Sequence, residues 1–194
     1  MNKGRLEAFS DGVLAIILTI MVLELKAPTA PTFEALAPLI PVGLSYVLSF
    51  AFIGIYWNNH HHLLQAVRHV NGRVLWANLH LLFWLSLTPF TTAWMGQTNF
   101  ATIPVAVYGV LLLLSAIAYT ILARSLIAHH GKESLLAEAL GADLKGNLSL
   151  LLYVAAIPLA FVEPRISLGL YILVALIWIV PDRRIEEVLD KKAH

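Results

Sequence analysis

The chain has 194 residues, 59% of them hydrophobic and only 13% charged. Ordinary soluble domains carry roughly a quarter charged residues, so a water-soluble globular fold is excluded. Thirteen Lys and Arg against twelve Asp and Glu exclude the lopsided charge that nucleic-acid partners demand, and the lack of cysteine excludes disulfides and thiolate metal sites.

A bilayer core about 30 Å thick needs roughly 20 apolar residues per spanning helix. On that measure the chain reads as an all-α, six-span membrane protein forming one unit over residues 1–194. The first span is 5–25, "RLEAFSDGVLAIILTIMVLEL". Its end, "ELKAP", has no small-residue cleavage pattern, so a retained span is expected. After the Pro-marked linker "KAPTAPTFEALAP", where Thr32 is placed to cap a short helix, comes span two at 39–57. Span three, 74–95, contains Pro89 and should kink there. Span four is 103–123. Spans five (148–162, with Pro158) and six (166–180) are short, and the pair also reads as a single hairpin of lesser depth. Two polar amphipathic segments, Lys132–Lys145 and the tail "DRRIEEVLDKKAH", read as surface helices.

Orientation follows from Lys and Arg placement. Lys3, Arg5, Arg68, Arg73, Arg124, Lys132, Lys145, Arg183, Arg184, Lys191 and Lys192 collect on one side; only Lys26 and Arg165 fall on the other. Both termini are thus expected to be cytoplasmic, which requires an even number of spans. A multi-pass protein of the bacterial inner membrane is the expected location.

The polar residues within the spans share one depth. Asp11 lies roughly 9 Å in from Arg5, and Asn78 and His80 roughly 8 and 10 Å in from Arg73, at 1.5 Å per residue. The descending end of span two, "YWNNHHH" (56–62), arrives at the same level. An ionised carboxylate at that depth costs a few kcal/mol unless it is paired. Arg5, His80 or Asn78 are the expected partners of Asp11, in a network with Ser10 that locks spans one to three. Further along the first helix, Gly12, Ile16, Thr19 and Leu23 recur at spacings of four, three and four. They form one narrow stripe with Ile20 beside it, and Ser10 and Asp11 point away from it. Periodicity alone equally describes ordinary packing or lipid contact.

Arg5-x-x-x-Phe9-Ser10-Asp11 opening the first of six spans, the Trp/Asn/His-rich end of span two and the Asn/His pair of span three together resemble the bacterial members of the transmembrane protein 175 family, relatives of the endosomal and lysosomal potassium channel. The resemblance implies a potassium channel without a carbonyl filter loop, assembled as a homotetramer with the first helix of each subunit around a central pore. It implies a hydrophobic constriction at Ile16, with Ile20 and Leu23 on the same pore-facing side, a selectivity role for Thr19, and a polar network that includes Arg5, Phe9, Ser10 and Asp11. The expected selectivity is modest preference for potassium over sodium. Consistent with that, no T-V-G-Y-G-like stretch supplies a carbonyl ring and no ladder of Arg supplies a voltage sensor. No enzyme activity, cofactor or metal site is expected; potassium is the permeant ion.

Two rival readings compete with the channel. One is a proton-coupled transporter using Asp11 and the histidines, since His titrates near neutral pH. The other is a metalloenzyme built on His60, His61, His62, His69 and His80. Adjacent histidines diverge on a helix, and no H-E-x-x-H motif is present.

Overall fold

The computed structural model describes residues 3–67, 69–131, 136–137 and 143–179. Its helices are α1 (Lys3–Leu23), α2 (Ile40–Gln65), α3 (Gly72–Ser86), α4 (Thr88–Gln97), α5 (Thr102–His130), α6 (Leu144–Leu159) and α7 (Pro164–Ile179), with a 3-10 segment at Phe33–Leu39. The C-terminal tail and most of 132–145 lie outside the described residues.

Four helical stretches are long and apolar enough to cross a membrane: Lys3–Leu23, Phe33–Gln65, Gly72–Gln97 and Thr102–His130. α6 and α7, 16 residues each, reach only about 24 Å at 1.5 Å per residue. They form an antiparallel hairpin, with Pro164 opening α7 where its missing N–H costs nothing.

The third span is two helices. Pro89 brings no N–H, and its ring disfavours helical continuation through the preceding turn. The backbone tightens instead: the Leu87 N–H bonds the Trp84 carbonyl at 3.1 Å, and α4 restarts at Thr88. The second helix differs in length from its expected span. It continues past Trp57 to Gln65, so all three consecutive histidines are helical. The short helix before it is of 3-10 type, and Thr32 makes no side-chain cap bond. At α3 a side chain does cap: Asn71 accepts from the Val74 N–H at 3.0 Å and starts α3, satisfying one of the donors a helix start leaves orphaned.

α5, the longest of the described helices, belongs to two cores. Its C-terminal half (Ala118, Leu122, Leu126) packs with Leu6, Leu14, Ile17 and Met21 of α1, Leu63 and Leu64 of α2, and Val74, Leu81 and Leu85 of α3. Its N-terminal half (Val105, Tyr108, Leu112) packs with Phe52 of α2, Met95 of α4, Tyr153 and Ala156 of α6, and Tyr171 and Val174 of α7. Water drives neither contact within a bilayer, so close packing and satisfied polar groups carry the association. In the second core, the Thr92 hydroxyl donates to Ser49 Oγ at 2.6 Å, and Ser49 bonds the Tyr108 hydroxyl at 2.9 Å. All three are buried.

The approach of α4 to α2 is set by Gly96. A Cβ there would meet Ser45 Oγ and lie 2.7 Å from Val42 Cα, so backbone would have to move. Gly96→Ala is expected to cost about 1–3 kcal/mol, as overpacking does, and to lower the melting temperature of the purified protein by several degrees. Gly54→Ala, with nothing within 4 Å of the added Cβ, should leave it unchanged.

Candidate functional site: the first helix and its polar junction

α1 is divided lengthwise. Leu6, Ser10, Leu14, Ile17 and Met21 are buried, at spacings of four, four, three and four, so one side of the helix carries most of the contact with the bundle. The opposite half is uncovered within the subunit. Arg5, Phe9, Asp11, Gly12, Ile16, Thr19, Ile20 and Leu23 are all exposed, with Ile16 at 60% and Leu23 at 71%. At about 100° per residue this exposed arc is close to half the circumference. Ile16, Thr19, Ile20 and Leu23 lie within it, Asp11 sits at its edge and Ser10 lies on the bundle side. The Thr19 hydroxyl donates to the Ala15 carbonyl at 2.8 Å, which leaves its oxygen lone pairs facing outward.

Below this stripe, a buried hydrogen-bond relay joins three helices. Asn78 Nδ2 of α3 donates to Ser10 Oγ of α1 at 3.0 Å. The Ser10 hydroxyl in turn donates to the Leu6 carbonyl at 2.8 Å. Since Ser10 accepts, Asn78 presents its carbonyl Oδ1 to His60 of α2, 2.7 Å from Nε2. That assignment places the His60 proton on Nε2. Ser10 and Asn78 are fully buried and His60 nearly so.

Asp11 has a different partner from the three expected. The Trp57 indole Nε1 of α2 donates to Asp11 Oδ1 at 2.9 Å, and the His61 ring stacks on Trp57 with centroids 6.0 Å apart. The pair lies at the exposed edge of the subunit, where the carboxylate keeps partial access to solvent. An indole is a donor only, so it matches a carboxylate without competing for protons. His80 stands apart from the relay: its Nε2 accepts from the Trp84 indole one turn along the same helix, at 2.9 Å. Arg5 is exposed. At the same end of the molecule, Lys3 Nζ bonds the Leu64 carbonyl near the C-terminus of α2 at 3.0 Å, a favourable place for a cation. Among the described residues, no group of three or more His, Cys, Asp or Glu is arranged to hold a metal ion.

Trp57 and His60 escaped individual assignment from the sequence: Trp57 reads there as an interfacial aromatic and His60 as one of three interchangeable histidines. Their spacing of three does place both on one side of α2, which is the signal that could have found them.

An apolar helical bundle with one uncovered helix face and a polar junction beneath it defines a multi-pass membrane protein with a surface left for another chain or for lipid. The comparisons agree in kind. The model of the endosomal/lysosomal potassium channel TMEM175 family matches residues 5–89, which contain α1, α2 and most of the third span. A potassium channel of Chryseobacterium sp. (strain P1-3) is 57% identical over 98% of this chain and 100% of its own length. A potassium channel of Streptomyces collinus is 35% identical over 61% of this chain and 62% of its own. The crystal structure of a lysosomal potassium-selective channel TMEM175 homolog from Chamaesiphon minutus superposes with a TM-score of 0.78 at 28% identity, covering 93% of this chain and 97% of that one. The chain belongs to the TMEM175 family. These relatives are channels rather than enzymes.

Proposed function

We propose that the protein is a potassium-conducting channel of the bacterial inner membrane, a homotetramer with both termini in the cytoplasm, whose ion path is lined by the uncovered face of α1. The observation that carries this reading is that face itself. One half of α1 is fully packed by its own subunit, while the half bearing Ile16, Thr19, Ile20 and Leu23 has no cover. Closed symmetry is the usual rule for identical chains, and four such faces around one axis would supply rings of side chains at successive depths. Rings of Ile16, Ile20 and Leu23 would gate by crowding and dewetting. Four Thr19 oxygens would form the polar step between them. Potassium sheds water more readily than sodium, so a weakly polar ring favours potassium modestly, without the steep discrimination of a carbonyl filter. The excess of Lys and Arg at the end holding the relay supports the orientation.

The test is reconstitution in planar bilayers with asymmetric potassium and sodium. Discrete channel events with a reversal potential on the potassium side of zero are expected, and Thr19→Val should move that potential toward zero. Saturable flux that requires a proton gradient, without discrete events, would instead establish a coupled transporter and end the channel reading.

A further inference from the structure

The start of α3 and the end of α5 form an open pocket of about 360 Å3. Arg73 and Arg124 line it together with Asn71, Ser125, His129 and the apolar Ile121. Its polar chemistry runs one way. Asn71 Oδ1 already accepts the Val74 N–H, so Asn71 contributes its Nδ2–H to His129 Nδ1, 3.0 Å away. His129 Nδ1 is therefore the accepting nitrogen, and its remaining proton sits on Nε2 as a donor. Both arginines are exposed, and no carboxylate lines the pocket among the described residues. Two guanidinium groups and an imidazole N–H without an acid to neutralise them select an anion, above all a phosphate, whose oxygens match the guanidinium fork.

Depth decides which phosphate. Counted along α5 from Thr102, Arg124 lies about 33 Å from the far end at 1.5 Å per residue, against a hydrocarbon core about 30 Å thick. The guanidinium thus emerges at the level of the lipid headgroups, and Ile121, exposed one turn deeper, offers an apolar wall to the chain below. We propose that this pocket is a binding site for the phosphate headgroup of an anionic phospholipid, held by Arg73 and Arg124 with His129 Nε2 as a third donor. The cationic headgroup of a zwitterionic lipid would be opposed by the same two arginines.

The test uses the full chain in detergent and native mass spectrometry, titrating phosphatidylglycerol, phosphatidylcholine and inorganic phosphate separately. Phosphatidylglycerol adducts are expected to persist, phosphatidylcholine adducts to be weak, and inorganic phosphate not to displace the lipid. In Arg73→Gln/Arg124→Gln the half-saturating phosphatidylglycerol concentration should rise on the order of thirtyfold, from the loss of two juxtamembrane cations, while Arg73→Lys/Arg124→Lys, which keeps both charges but not the bidentate fork, should lose markedly less. Unchanged affinity in the Gln variant overturns the site, and displacement by equimolar phosphate overturns the lipid assignment in favour of a free anion. A wild-type arm is independent of variant folding: photoactivatable phosphatidylglycerol should label peptides containing Arg73 or Arg124, and labelling confined to other helices refutes the proposal.

Discussion

Ile16→Asn is expected to raise the basal current of the reconstituted protein about tenfold for every ~1.4 kcal/mol that the amide removes from the barrier to a passing ion. Ile16 is 60% exposed on its own subunit, so the substitution removes little intramolecular packing. Its consequence falls on whatever shares the α1 face. In the proposed homotetramer that is a fourfold ring, and replacing four sec-butyl groups by amides that hold water would abolish dewetting at that level. Leu14→Asn, two residues earlier on the buried side, should behave oppositely: an amide pressed into an apolar core costs a few kcal/mol, and recovery of folded protein should drop with no gain in current. Single-channel recording and size-exclusion yield of both variants distinguish the two faces. Unaltered current in a well-assembled Ile16→Asn protein would remove this residue from the gate.

The second large effect is expected at Asn78. Asn78→Leu breaks two hydrogen bonds and leaves Ser10 and His60 Nε2–H without their partner. Interhelical bonds in membrane proteins contribute only about 0.6 kcal/mol each on average, but a buried polar group left unsatisfied costs about 1–3 kcal/mol. The orphaned imidazole should therefore dominate the loss, and the melting temperature in detergent should fall by roughly 5–10 °C, at about 2–4 °C per kcal/mol for a chain of this size. A cycle with His60→Phe separates the contributions. The double variant should lose less than the sum of the two single ones, because it leaves no imidazole to be orphaned. Additive losses would mean that the relay holds no shared energy. Reversal potentials should be unaffected throughout, since the relay lies on the bundle side of α1.

What was legible in the sequence was what depends on distance along a helix. Rise per residue is local, so the common depth of Ser10, Asp11, Asn78 and the histidines of span two follows from counting, and the structure brings Ser10, Asn78 and His60 into one relay at that depth. The split of α1 into two sides is likewise legible, since rotation per residue is as regular as rise. Periodicity alone left undecided which side met the bundle, because Ile16 and Ile17, or Leu23 and Met21, are equally greasy. The family signature, a motif at a given position in the first span, was recognisable for the same reason: it is a pattern of residue order.

Sideways relations were settled by the tertiary structure. Asp11 meets Trp57 because α1 packs against α2, and His60 reaches Asn78 because α2 does not stop at the end of its apolar run but continues helically to Gln65; both depend on lateral packing that no local propensity encodes. His80, at the right depth for the relay, faces elsewhere: two residues separate it from Asn78, and on a helix that turns it about 200° away, toward Trp84 on its own helix. The pairing of α3's first turn with α5's last, which brings Arg73 and Arg124 to one pocket, joins residues half a hundred positions apart. In the sequence they are only two cations on one side of a membrane; lateral packing makes them neighbours.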